Sequence, residues 1–379
     1  MRLNKVIVAS DSFKGSVTSL EVADSVELAI HAFHPDCEVV KIAVADGGEG
    51  TVSAMLNAIG GEMVTCAVQN PLMRIIDASY AILAGGRRAV IDMASASGLT
   101  LISPSERNPW KTTTYGTGEM IMDALKRGCR DFLIGIGGSA TNDAGCGMLQ
   151  ALGFRFLDAK GEELAFGGEI LSMIHHIDTS NVPSIVREAS FTVACDVDNP
   201  LYGDNGAAYI FAPQKGADME MVKMLDMGLR NFATVVRENG FMAVDNLPGA
   251  GAAGGLGGGF VSLLNATLKP GSEVILDALE FEKSIQGADL IITGEGSIDR
   301  QTCMGKIPFG VLRYGVKHDI PVVAIAGRVA DVELLNDNGF LAVLPIIPEP
   351  VSIERAMDSQ YTSHNIQRTI TQALRLLER

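Results

Sequence analysis

The sequence predicts an α/β fold of two domains with mostly parallel sheets. Three observations carry that expectation. Short apolar runs alternate with helix-period patterns along most of the chain. Its 379 residues exceed one typical hydrophobic core. Glycine-and-acid clusters follow several apolar runs directly, at the strand ends where parallel sheets gather ligands.

The apolar runs place strands at residues 6–9, 39–44, 89–93, 132–136, 191–195, 290–293, 322–326 and 342–345. Helical spacing of apolar residues places helices at 20–32, 50–59, 118–125 and 221–236. Glycine- and proline-rich joints lie near Gly85-Gly86, between Pro104 and Pro109, and at Pro270-Gly271. They suggest a discontinuous domain, 1–85 with 285–379, into which an α/β domain of 86–284 is inserted. A continuous split around 276–288 is the alternative.

Composition narrows the class. Hydrophobic residues are 47% and charged residues 20%, which excludes a disordered chain. The net charge of -15 argues against nucleic acid or anionic membranes as general partners. Cys37, Cys66, Cys129, Cys146, Cys195 and Cys303 lie far apart and form no C-x-x-C pair, so they read as reduced thiols of a cytoplasmic protein. The start lacks a signal peptide, and no apolar run has membrane-spanning length. Glycine is in excess, with 42 residues. Its backbone entropy is lost on folding, so clustered glycines imply a backbone that must come close to something.

The strongest cluster is Gly135-Ile136-Gly137-Gly138-Ser139-Ala140-Thr141-Asn142-Asp143-Ala144-Gly145. It reads as strand, glycine turn, helix. Gly137 and Gly138 let backbone N–H groups turn toward a compact anion, and Ser139 and Thr141 add hydroxyl donors. A tight turn serving only close packing is the competing reading.

Four further clusters repeat the design. Asp11, Ser12 and Lys14 follow the first strand. Asp46 and Glu49 stand among glycines after the second; they suit Mg²⁺ or a substrate hydroxyl, or simply a helix start. Asp196 ends an apolar strand where it can accept a proton, the Asn199-Pro200 turn follows, and Lys215 comes after a proline bend, within reach of a phosphate. Gly294-Glu295-Gly296, Asp299 and Gly305-Lys306 form the last. The small-residue run at 248–259 reads as a helix start packed on backbone or nucleotide. A nucleophile elbow and a Walker pattern are both missing.

Taken in order, these clusters resemble the type 1 (bacterial) glycerate kinase family. The resembling stretches are DSFKGS at 11–16, ADGGEGT at 45–51, GIGGSATND at 135–143, CDVDNPL at 195–201, PQKGA at 213–217, PGAGAAGGLG at 248–257 and ITGEGSID at 292–299. The resemblance implies two α/β domains, one inserted in the other, with the active site in the interdomain cleft. It implies ATP- and Mg²⁺-dependent phosphorylation of D-glycerate to 2-phosphoglycerate. Two positions depart from the pattern: Ser10 stands where the family usually has proline, and Ser297 where it often has arginine.

On that basis Asp196 is the expected general base and Asp299 the second choice, with Lys14 and Lys306 as catalytic cations. Gly137, Gly138, Ser139, Thr141, Lys215, Gly294 and Gly296 are expected to hold the nucleotide phosphates. Asp11, Ser12 and Asn199 are expected at the substrate, and Asp46 and Glu49 at the metal. A kinase for another small hydroxy acid, or a non-catalytic sensor of a phosphorylated acid, are the competing functions.

Overall fold

A computed structural model describes residues 3–44 and 51–377. Its described strands, in chain order, are β1 (Lys5–Val8), β2 (Glu38–Lys41), β3 (Gly61–Gln69), β4 (Ile75–Leu83), β5 (Arg88–Asp92), β6 (Asp131–Gly135), β7 (Arg155–Leu157), β8 (His176–Asp178), β9 (Ser190–Ala194), β10 (Thr267–Lys269), β11 (Leu290–Ile298), β12 (Val322–Val329) and β13 (Ala342–Pro345). The chain divides into two compact units, residues 1–49 with 271–379, and residues 50–270.

The first unit is built on a sheet ordered β13-β12-β11-β1-β2, with every neighbouring pair parallel. Apart from the edge strand β2, which reads Glu-Val-Val-Lys, its strands carry apolar runs, as expected where helices cover both faces of a sheet. Val6, Val8, Ile292, Val323 and Ile325 form the sheet side of one core. The helix Ser19–His31 buries Val22, Val26 and Ile30 and opens with a capping box between Thr18 and Glu21. It packs beside the helix Ser359–Leu377, whose Ile366, Ile370 and Leu374 enter the same core.

The second unit carries a sheet ordered β10-β9-β6-β5-β4-β3. From β10 to β5 the pairing is parallel; β4 and β3 complete it antiparallel. β7 and β8 form a separate antiparallel pair. Phe132 of β6 stacks on Phe191 of β9 at 5.0 Å, and Phe260 lies 5.9 Å beyond, marking the core under the sheet.

All eight expected strands form. The β3–β4 hairpin was not anticipated. β3 alternates weakly between exposed and buried positions, so its apolar run is broken and no glycine cluster marks its end. The division of the chain also differs from the expected limits at 85/86 and 284/285. β4 pairs with β5 and β3 with β4, which draws residues 50–85 into the second unit. The helix Gly271–Ala278 packs on the helix Ile307–Lys317, which draws 271–284 into the first.

Candidate active site

Each unit contains a hollow that gathers several of the candidate residues. In the second unit it measures about 430 Å³ and lies at the end of β6 and β9. Gly137, Gly138 and Ser139 line it from the turn after β6, and Asp196 from the segment after β9. Gly138 has φ +72°, a conformation that favours glycine. Gly137 is different: a Cβ added there would meet nothing within 4 Å. Packing therefore does not require glycine at 137, while an approaching ligand would. The turn is held by the Leu99 N–H, which donates to the Gly138 carbonyl at 2.9 Å, and by the Ala140 N–H, which donates to Ser97 O at 3.0 Å.

Lys215 lines the same hollow and is only 1% exposed. Its Nζ donates to Ser139 Oγ and to the Thr141 carbonyl, both at 2.7 Å. Burial pushes its pKa down to about 7, against the opposing pull of Asp143. The amine is thus directed at the glycine turn and poised to change charge near neutral pH.

Asp143 braces this turn from behind. Fully buried, it accepts from the N–H groups of Thr114 at 2.8 Å, Gly145 at 3.1 Å and Gly147 at 3.3 Å. The hydroxyls of Thr113 and Thr114 donate to it as well, at 3.3 and 2.8 Å. Burial raises its pKa above the usual carboxylate value, and these bonds pull it back. Thr141 is fully buried too, and among the described residues its hydroxyl and the Asn142 amide find no hydrogen-bond partner. Thr141 meets Lys215 through its carbonyl rather than its hydroxyl, and it is not among the residues that line the hollow.

The glycine run at 248–259 packs on this turn. Ala253, Gly254 and Gly255 are left-handed inside the helix Ala252–Leu264. A Cβ on Gly254 would stand 2.1 Å from the Thr141 carbonyl oxygen, and Ala144 N–H donates to Gly254 O at 3.0 Å. Backbone, one of the two partners expected for this run, is in contact with it. Asn199 is tied into its own turn, donating through Nδ2 to Asn205 O at 2.8 Å and accepting from Gly251 N–H at 2.9 Å; it is not among the lining residues.

The hollow of the first unit measures about 580 Å³. Asp11, Ser12 and Lys14 reach it from the loop after β1, Glu295 and Gly296 from β11, Lys306 from the start of the next helix, and Arg328 from β12. The loop is fixed by Asp11 N–H donating to Gly294 O at 2.9 Å and by a Phe13–Val17 bridge. Ser10, the departure from the family's proline, accepts through its carbonyl from Ser19 Oγ at 2.6 Å and donates its own hydroxyl to Asp11 O. Hydrogen bonds thus hold the backbone where proline would restrict it.

Glu295 is 7% exposed, accepts from Thr302 Oγ1 at 2.6 Å and pairs with Lys306 Nζ at 3.1 Å. Burial raises its pKa; Thr302 and Lys306 oppose that, and the nearby Asp11 charge adds to it. Gly294 has a packing reason to be glycine, since a Cβ would lie 2.4 Å from Ile325 O on the adjacent strand. Asp299 accepts from Gln301 N–H at 2.9 Å and caps the short helix Arg300–Met304.

Asp46 and Glu49 lie outside the described residues. Among the described residues no group of three or more His, Cys, Asp or Glu is arranged to hold a metal ion. Sequence reasoning gave no role to Glu295 or Arg328. Both carried a signal: each directly follows a glycine at the end of an apolar strand run, as the other candidates do.

Parallel strands ending in glycine turns, with a buried lysine and carboxylates around small hollows, are the build of an α/β protein that binds small anionic molecules. Comparison narrows the class. The glycerate kinase family profile matches residues 6–378. A Haemophilus influenzae glycerate kinase is 46% identical over 344 residues, 90% of this chain and 91% of that protein. The Escherichia coli glycerate 2-kinase is 42% identical over 377 residues, 98% and 99% of the two chains. A crystal structure assigned to a glycerate kinase 2 of Salmonella typhimurium LT2 superposes with a TM-score of 0.83 at 41% identity, covering 99% of this chain and 98% of that one. The chain belongs to the glycerate kinase family.

Proposed function

We propose that the protein transfers the γ-phosphoryl group of ATP to D-glycerate, giving 2-phosphoglycerate. The observation that carries the reading is the second unit's hollow, where an unobstructed glycine, a buried lysine and a strand-end carboxylate share one lining. Phosphoryl transfer requires positioning and charge neutralisation more than a strong nucleophile. Backbone at Gly137 and Gly138, with Ser139 and Lys215, would hold the phosphoryl group in flight. Asp196 would accept the proton of the attacking hydroxyl. Asp299 already serves as a helix cap, which favours Asp196 for that role.

In this reading turnover draws on both hollows. Lys14 and Lys306 neutralise phosphate charge, and Asp11 and Ser12 orient polar groups of a bound reactant. Asn199 supports Asp196 through its turn. Mg²⁺ bound with the nucleotide would supply charge neutralisation. Asp46 and Glu49 remain the proposed ligands. The buried carboxylates of Asp11 and Glu295, which share one lining, also fit a cation with phosphate and water partners.

We further propose that the protein is cytoplasmic and that residues 50–270 are a domain inserted into the other. Six free cysteines and the division into two compact units support these readings. Among the described residues no helix is long and apolar enough to cross a membrane. The deciding measurement is coupled turnover with D-glycerate and ATP, the product resolved as the 2- or 3-phosphate by NMR. Release of 2-phosphoglycerate is expected; absence of turnover, or the 3-phosphate, overturns the reading.

A further inference from the structure

We infer that the first unit's hollow recognises the adenine end of the nucleotide, the ring lying against an apolar wall of Ile347, Ile353 and Met357. The inference rests on the kinase reading and adds to it a seat for the base.

The hollow has two chemically distinct parts. Phe13, Ile347, Ile353, Ala356 and Met357 make one part apolar. Lys14, Lys306 and Arg328 place three cationic side chains in the same lining, against the two carboxylates of Asp11 and Glu295, the latter paired with Lys306. Ile353 is 79% exposed and Met357 46%, so large apolar groups face solvent at the rim of a cavity. Such a patch marks a binding surface when it adjoins convergent polar groups. A volume of about 580 Å³ lies in the usual range for a small-molecule site.

The occupant follows from the reactants. D-glycerate is a three-carbon hydroxy acid with no flat or extended apolar face. It gains nothing from Ile353 or Met357. The triphosphate is polar throughout. Only the nucleobase offers a broad apolar face, and it comes attached to phosphates that suit the three cations. The second unit's hollow differs in charge more than in apolar character: Leu99, Ile136, Val197 and Phe211 line it as well, but Lys215 is the single cation of that lining, and small residues such as Gly137, Gly138 and Ala253 make up much of the rest. Small residues there suit a small acceptor, with Asp196 at hand.

The wall is held in place. Ser16 Oγ and Thr362 Oγ1 share a hydrogen bond of 2.6 Å, which ties the loop after β1 to the helix Ser359–Leu377. Thr362 Oγ1 also lies 3.2 Å from Ala356 O, fixing the short helix that carries Ile353. Gly15 is left-handed at φ +77°, and a Cβ there would come within 3.7 Å of Met357 Sδ. Loop and wall therefore pack as one surface.

The test is calorimetric titration of the full chain with ADP and, separately, with D-glycerate. Ile353→Asp changes an exposed side chain, so the fold is retained, as circular dichroism checks. Its ADP Kd is expected to rise about tenfold or more, the equivalent of about 1.4 kcal/mol, while the D-glycerate Kd moves less than about twofold. Ala356→Phe, which fills the hollow, is expected to do the same, and Ile353→Leu to restore ADP binding. Weakened D-glycerate with unchanged ADP overturns the inference, as does an unchanged Kd for both. A wild type that binds ADP through this wall yet never phosphorylates D-glycerate would sink the kinase reading alone. Turnover with ADP binding indifferent to Ile353 would sink only the base site.

Discussion

At Lys215 a single side chain joins burial, charge and chemistry. Its folded pKa of about 7 stands below the ordinary lysine value of 10.5. The free enzyme therefore carries the cation below about pH 7 and loses it above. If that charge holds a phosphoryl group, kcat/KM falls about tenfold per pH unit above about 7, and Lys215→Arg, charged throughout, moves the fall to higher pH. A pH–rate profile that is flat from 6 to 9 in wild type removes the role. Linkage gives the stability sign independently. Between about 7 and 10.5 the unfolded chain binds the proton that the folded chain releases, so stability from this group rises with pH across that window. Lys215→Met removes that slope in denaturant titrations. Gly137→Ala separates packing from ligand approach: melting is expected to be unchanged, because the new methyl meets no protein atom, while turnover falls. Asp196→Asn is expected to fold normally and to lose about two orders of magnitude or more in kcat.

Among the elements, the turn after β6 and the glycine run at 248–259 depend on each other. Gly254 comes so close to Thr141 that even a methyl has no room, and its φ of +72° strains any other residue. Gly254→Ala is expected to destabilise the protein by roughly 2–4 kcal/mol in chemical denaturation, since clash and backbone strain add. Asp143→Ala leaves the N–H groups of Thr114, Gly145 and Gly147 without their acceptor, and a loss of about 3 kcal/mol or more is expected. Wild-type stability in either variant would mean that the turn is held by something else. These elements also show what sequence could reveal. GIGGSATND was legible as strand, turn and helix because glycines punctuate an apolar run. That Asp143 braces the turn was not legible, because its partner Thr114 lies 29 residues away.

For the whole molecule, the proposed reaction assigns roles to residues of both units. Lys215→Met in the second unit and Lys306→Met in the first are each expected to lower kcat/KM for the complete reaction by about 100-fold or more, with melting little changed for the partly exposed Lys306. Full turnover in either variant would confine the chemistry to the other unit. Lys306→Met also leaves Glu295 without its ion pair. Its carboxyl is then expected to titrate at higher pH than in wild type, which NMR of the side chain would follow.

By itself the amino-acid order determined the α/β class, the eight strands that are continuous apolar runs, and the strand-end clusters that mark chemistry. Those features are local: hydrophobic period, glycine and charge are written within ten residues or so. Only the tertiary structure decided how the candidates divide. It set Gly137, Ser139, Asp196 and Lys215 around one hollow, Asp11, Lys14, Gly296 and Lys306 around another, and left Asp299 as a cap and Gly294 as a packing glycine. It also moved residues 50–85 to the second unit, through a hairpin whose pairing to β5 no local pattern announces. The physical reason is the same in each case. Which groups meet is fixed by strand pairing and by backbone-to-backbone packing between distant segments, and those contacts leave no periodic trace in the order of the residues.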